Sequence, residues 1–306
     1  MSKIVIGARG SKLSLIQTDI VKNKLQTLLP GVEIVVRVIT TKGDKNMSPV
    51  PLDSVGKGWF TKEIDKSLLE GSIDLAVHSL KDLPETLEEG LIIAALPERE
   101  DAREAMVSKT GVSFDELKKG AVIGTDSTRR GSQILNRRAD LIVKSLRGNV
   151  ITRLEKLERE DYDAIFLAVA GLKRLGLEER ITEYFGADDF IPSPGQGALA
   201  VVTKKDNAKL NTLLQELNHE KTVIAVKSER AFSDAIGGGC KMPVGSYAEI
   251  DGERLTIHAF IGSLDGRNIA KDSIVGDLKN PLELGNALAN KLIEQCKPWY
   301  TRENDR

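Results

Sequence analysis

The sequence is poor in several of the groups that most often announce a function. Only two cysteines, Cys240 and Cys296, occur in 306 residues, so no disulfide framework holds the fold, and in a reducing compartment a bridge between them is not expected. Aromatic residues make up 4% of the chain, too few for the stacking surface on which single-stranded nucleic acid is bound. An excess of one sign of charge is also missing, with 44 Lys and Arg against 45 Asp and Glu. No global field therefore draws the chain to nucleic acid or to an anionic membrane. No apolar run is long enough to span a bilayer, and Met1-Ser2-Lys3-Ile4-Val5-Ile6-Gly7 leads straight into a strand-like segment without the pattern of a secretory signal. A cytoplasmic protein is expected. Neither GxGxxG nor GxxxxGKS/T occurs, so the usual glycine-rich phosphate cradles are absent.

What is present is an alternation of strands and helices. A hydrophobic content of 41% and a charged content of 29% suit a globular chain with room for two or three cores. Ile4 to Ala8 reads as a buried strand, and Ser11 as the N-cap of an amphipathic helix running to about Leu29. Glu33 to Thr40 is a second strand. From Thr41 to Gly58 the periodicity disappears, as in a functional lid or a disordered loop; Phe60 at its edge can stack on a ring or pack in a core, and Thr61 to Glu70 is a helix. Strands follow at Ile73 to Val77, Leu91 to Leu96, Val122 to Thr125, Leu141 to Leu146 and Asp163 to Val169, with helices from Arg129 to about Arg138 and from Ile151 to Glu160. A strand and helix at residues 198–217 cross back to complete the first domain. The pattern predicts an α/β fold of two lobes joined by a hinge. The first lobe takes residues 1–99 and 198–218, and the second takes 100–197. Residues 219–306 form a small α+β domain with turns at Asp251-Gly252 and Asp265-Gly266.

Polar groups recur where strands end. Arg9, Lys81, Arg129 with Arg130, Arg147 and Arg174 each follow a strand, the place where open α/β sheets bind ligands. Two arginines in a helix's first turn oppose its dipole, and a bound anion would explain them. Parallel strands put such tips along one edge, so the chain is built to hold several anionic groups, carboxylates rather than phosphates. Lys81 and Asp82, in extended backbone, would point apart. Asp82 reads equally as a turn residue before Pro84 and as a catalytic group, and His78 as a general base or a structural residue. Gly237-Gly238-Gly239-Cys240-Lys241 presents Cys240 on a loop beside an ammonium that favours the thiolate; the alternative is a small buried hydrophobe. Cys296, in a helical pattern, reads as packing.

Taken together, Gly7-Ala8-Arg9-Gly10-Ser11, Gly56-Lys57-Gly58, Phe60-Thr61-Lys62-Glu63, His78-Ser79-Leu80-Lys81-Asp82-Leu83-Pro84, Arg129-Arg130, Leu146-Arg147-Gly148-Asn149, Pro194-Gly195-Gln196-Gly197 and Gly238-Gly239-Cys240 resemble the porphobilinogen deaminase (hydroxymethylbilane synthase) family over essentially the whole length. The resemblance implies two lobes like those of periplasmic binding proteins and a third domain bearing the cysteine. It implies a dipyrromethane cofactor joined by a thioether to Cys240, and no metal. Four porphobilinogen units are added head to tail with loss of ammonia, and hydrolysis releases the linear tetrapyrrole. Lys81, Ser127, Arg129 and Arg130 are expected to hold the cofactor. Arg9, Ser11, Arg147, Arg153 and Arg174, with Phe60, are expected to meet substrate and growing chain. Asp82 is expected to stabilise the positive charge that develops on pyrrole nitrogen. The chain departs from the family pattern at Gly237 and at Asp126, whose charge is expected to weaken anion binding nearby. Porphobilinogen is the expected partner, without nucleic acid, membrane or a second subunit. A non-catalytic two-lobe receptor for a polycarboxylate shares the hinge and the arginines, but has no need of the Cys240 loop.

Overall fold

The computed structural model describes residues 2–41, 61–237 and 242–299. The chain folds as two compact units, Met1–Glu100 with Gly197–Val223, and Asp101–Gln196 with Ile224–Arg306. In chain order the described elements are β1 (Lys3–Ala8), α1 (Lys12–Leu28), β2 (Glu33–Val38), α2 (Lys62–Leu69), β3 (Leu75–Ser79), β4 (Leu91–Ala95), β5 (Glu104–Ser108), β6 (Val122–Gly124), α3 (Thr128–Arg137), β7 (Ile142–Lys144), α4 (Val150–Arg159), β8 (Ala164–Ala168), α5 (Val169–Leu175), β9 (Glu183–Phe185), β10 (Leu199–Lys204), α6 (Ala208–Leu214), α7 (Glu220–Ile236), β11 (Val244–Asp251), β12 (Arg254–Gly262), β13 (Ile269–Asp277) and α8 (Pro281–Cys296). The fold is mixed α/β. Among the described residues no helix is long and apolar enough to cross a membrane.

The first unit is a five-stranded sheet in the order β2-β1-β3-β10-β4. β1 lies parallel to β2 and β3, and β10 runs antiparallel between β3 and β4. Ile4 and Ile6 of β1 pack with Val21 and Leu25 of α1, Leu75 and Val77 of β3, and Leu199 and Val201 of β10. The helix can lie on the sheet because its buried positions, Ser14, Gln17, Thr18, Val21 and Leu25, recur every three or four residues.

The second unit repeats that plan in the order β7-β6-β8-β5-β9. β6 is parallel to β7 and β8, while β5 is antiparallel to β8 and β9. Thus β1, β2, β3, β10 and β4 correspond in position to β6, β7, β8, β5 and β9. Each sheet also sends a helix from its second-position strand to its edge neighbour, α1 in one and α3 in the other. The register preserves the match: Leu199 opens β10 opposite Ser79, the last residue of β3, and Glu104 opens β5 opposite Ala168, the last residue of β8. Four of the thirteen aromatics go to the core here, where Phe114, Phe166, Phe185 and Phe190 pack with neighbouring ring centroids 5.1 to 5.9 Å apart.

The C-terminal strands form a separate antiparallel sheet, β11-β12-β13. Its core joins Leu255 and Ile257 of β12 to Phe232 of α7 and to Leu288, Leu292 and Cys296 of α8. This sheet rests on the remainder of its unit through Ser246 N–H to the Pro192 carbonyl, 3.1 Å, and Asn136 Nδ2 to the Gly266 carbonyl, 3.0 Å. Gly266 takes φ +71°, and a Cβ there would meet the Ser132 carbonyl oxygen at 2.6 Å, so the expected Asp265-Gly266 turn needs glycine twice over.

Each large sheet also holds a strand antiparallel to its neighbours, β10 in the first and β5 in the second. Two expectations are corrected. Lys81 and Asp82 do not sit in extended backbone but in a 3-10 turn, Leu80–Asp82. Arg174 does not tip a strand: β8 stops at Ala168, and Arg174 lies in the last turn of α5, closed by Gly176 at φ +67°.

Candidate active site

In the first unit the polar groups gather where β1 and β3 end. Ser11 caps α1, its Oγ accepting from Ser14 N–H at 3.3 Å, and Arg9 stands half-buried two residues before it. Gln17 of α1 donates to Ser79 Oγ at 2.9 Å, tying the helix to the end of β3. The chain then turns through Leu80–Asp82, held by Leu80 N–H to the Ala198 carbonyl, 3.0 Å, and Leu83 N–H to the Leu80 carbonyl, 3.1 Å. That turn leaves Lys81 half-buried and Asp82 exposed. A fixed turn carrying an exposed carboxylate next to an ammonium can present both to one ligand. His78, one residue before Ser79, is buried, and its Nε2 has no hydrogen-bond partner among the described residues. Burial, and then the Arg9 charge, pull it down to about 4, so it is neutral near pH 7.

In the second unit Ser127 caps α3, its Oγ accepting from Arg130 N–H at 3.3 Å. The next two arginines turn inward. Arg129 is 6% exposed and Arg130 5%, and between them lies Glu104, fully buried. Glu104 divides its carboxylate: Oε1 accepts from Arg129 Nη2 at 2.5 Å, and Oε2 from Arg130 Nε at 3.0 Å and Nη2 at 2.7 Å. Gln196 Nε2 adds a bond to Oε1 at 3.0 Å. Arg129 also donates to the Ile191 carbonyl and Arg130 to the Phe166 carbonyl, each at 2.9 Å. Burial pulls Arg129 below its ordinary value, yet a guanidinium stays charged. Two cations over one anion leave a surplus positive charge in a desolvated place. That surplus suits a carboxylate ligand.

The remaining arginines of this unit are more open. Arg147 Nε donates to Asp126 Oδ2 at 2.6 Å, and Asp126 also accepts from Ser145 Oγ. Arg153 of α4 donates from Nε to the Gly148 carbonyl at 2.8 Å, and Arg174 is half-buried. The Asp126 charge therefore faces Arg147 directly.

Glu104 and Gln196 were not among the expected site residues. Gln196 stood only as part of the motif Pro194-Gly195-Gln196-Gly197, and for Glu104 the local signal was an acidic residue heading the apolar run Glu104-Ala105-Met106-Val107. Phe60, Cys240 and Lys241, and nearly all of the proposed lid, lie outside the described residues; α7 and Gly237, at φ +76°, lead up to Cys240. Among the described residues no group of three or more His, Cys, Asp or Glu could hold a metal ion. Cys296 is buried, and desolvation pushes its thiol up to about 11, which makes it inert.

Comparison with known proteins settles the family. Residues 4–212 match the model described as porphobilinogen deaminase, dipyrromethane cofactor binding domain, and residues 223–294 match the porphobilinogen deaminase C-terminal domain. The chain belongs to the porphobilinogen deaminase family. It is 44% identical to a porphobilinogen deaminase of Oceanobacillus iheyensis over 96% of this chain and 95% of that one, and 47% identical to one of a Geobacillus species over 96% and 95%. Among solved structures, the periplasmic aliphatic sulphonate binding protein of Escherichia coli is similar at 15% identity and a TM-score of 0.42, covering 77% of this chain and 70% of that one. Members of the porphobilinogen deaminase family are transferases of tetrapyrrole biosynthesis that act on porphobilinogen with a dipyrromethane cofactor, and this chain is one of them.

Proposed function

We propose that Cys240 carries the dipyrromethane through a thioether and that the two units take separate parts in extending it by four porphobilinogen units. The cofactor, when bound, supplies the free pyrrole α-position to which the first unit is joined. Ser127, Arg129 and Arg130, with Lys81 of the first unit, hold its carboxylates. The observation that carries this reading is the buried pair of guanidiniums sharing one carboxylate, a cation held in place by the fold. Arg9, Ser11, Arg147, Arg153 and Arg174, together with Phe60, receive the carboxylates and rings of substrate and growing chain. Each addition brings two further carboxylates, and fixed cations offset their mutual repulsion.

Asp82 takes the catalytic part. As ammonia leaves, positive charge develops on pyrrole nitrogen, and an ionised carboxylate within hydrogen-bond reach of the ring N–H lowers the energy of that charge. In this reading the C-terminal sheet and its helices, within residues 219–306, form a third domain that delivers Cys240. The protein acts as a monomer in the cytoplasm, without nucleic acid or membrane.

Asp82→Asn tests the assignment. The variant keeps the mass of the attached dipyrrole and loses turnover by about 100-fold or more. Unchanged turnover would remove Asp82 from the mechanism.

A further inference from the structure

The repeated sheet plan shows which part of the arginine cluster the fold itself requires. Counting from the capping serines, Arg129 and Arg130 stand two and three residues after Ser127, and Leu13 and Ser14 stand two and three residues after Ser11. Glu104 opens β5 opposite the end of β8, and Leu199 opens β10 opposite the end of β3. So where the second unit has Arg129, Arg130 and Glu104, the first has Leu13, Ser14 and Leu199. At these three positions the first unit carries no charge.

A buried ion cluster is often no more stabilising than apolar residues of similar volume, whereas removing one member leaves an uncompensated charge. Packing alone therefore does not account for the charged version. We infer that Glu104 is a positioning residue of the anion site: it fixes Arg129 and Arg130 side by side and cancels one of their two charges. This role rests on the reading of Arg129 and Arg130 as cofactor ligands. Each carboxylate oxygen serves a different arginine, so the two forks are locked relative to each other. Gln196, donating to the same oxygen as Arg129, fixes the carboxylate in turn and is itself oriented by the Ala102 carbonyl, 2.8 Å from its Nε2. Without Glu104, two like charges share a desolvated corner and repel, and their donors no longer converge on one ligand.

The test reads the covalent load of the purified, denatured protein by intact mass, beside the melting temperature of the folded protein. Glu104→Gln, which keeps shape but not charge, is expected to carry the dipyrrole on less than a tenth of its molecules, and Glu104→Asp to recover more than half of the parental load. Glu104→Gln that melts early but loads as the parent does would overturn the proposal, because Glu104 would then be structural only. Glu104→Asp loading no better than Glu104→Gln would overturn it as well. If Glu104→Gln fails to fold, the triple variant Glu104→Leu, Arg129→Leu, Arg130→Ser, which copies the first unit, is expected to fold with a melting temperature no lower than the parent's and to carry no dipyrrole. Failure of the triple variant to fold would show that the cluster belongs to the fold and overturn the proposal. A parent protein without any dipyrrole would instead remove the reading of the site, and this role with it.

Discussion

The two large sheets share one strand order but fill equivalent positions with different chemistry. At the opening of the re-entrant strand the first has Leu199 and the second Glu104; one residue before the end of the central strand the first has His78 and the second Leu167. Each unit thus keeps a buried polar group where the other is apolar. Topology is satisfied by either choice, so the polar choices mark what each unit does beyond folding. In the second unit the choice is a charged cluster, balanced internally to within one charge. In the first it is a neutral imidazole under Arg9, close to the turn that carries Lys81 and Asp82.

The largest effect comes from exchanging the residues at the strand openings. Leu199→Glu places a carboxylate in the first unit's core without arginines to meet it, and Glu104→Leu leaves two arginines without their carboxylate. Each is expected to cost about 3–5 kcal/mol, as removal of one buried partner does, measured by urea unfolding. A cost under about 1 kcal/mol for Glu104→Leu would mean that the arginines find other partners easily and that the balance of charge in the second unit is not set by Glu104.

A smaller effect separates the units by pH. His78 has a folded pKa of about 4 against 6.5 for an unperturbed histidine. The native state therefore binds fewer protons than the unfolded one in that window. The contribution is fully present above pH 6.5 and is lost as pH falls toward 4, amounting to roughly 3 kcal/mol. His78→Leu, which copies Leu167 of the second unit, should flatten the loss of stability between pH 6.5 and 4 relative to the parent. Parallel stability curves for the two proteins would contradict the burial of a neutral imidazole.

The smallest effect contrasts the buried arginines with the open one. Arg147 and Asp126 form a partly exposed pair, worth about 1 kcal/mol or less. Asp126→Asn keeps an acceptor for Arg147 Nε while removing the competing charge, and is expected to lower KM for porphobilinogen by about twofold to fivefold, more at low salt than at high. An unchanged or raised KM would mean that Asp126 helps Arg147 rather than competing with substrate.

Much of this could be read locally. The caps Ser11 and Ser127, the glycine turns at Gly252 and Gly266, and the buried strands at β1, β3 and β8 follow from spacing and turn chemistry, which act over a few residues. Residues 198–203 read as a strand that crosses back to the first domain, but the antiparallel pairing of β10, and β5 as a strand at all, could not be read that way. Such pairing is long-range, and β5 follows a charged connection that masks its start. Arg174 was misplaced because Val169-Ala170 prolongs the apolar run of β8, while the helix is set by its C-terminal turn at Gly176. Arg129 and Arg130 signalled an anion by opposing the helix dipole. An anion from within the chain, Glu104, lies 25 residues upstream of the first of them and becomes visible only when β5 docks beside β8.

The central claim is that this chain holds its own primer on Cys240, and the intact mass of the denatured protein tests it most directly. The parent should exceed its sequence mass by one dipyrrole, and Cys240→Ala should show the bare sequence mass and no turnover. A fully active parent at the bare sequence mass, or a Cys240→Ala variant that retains the excess, would contradict it.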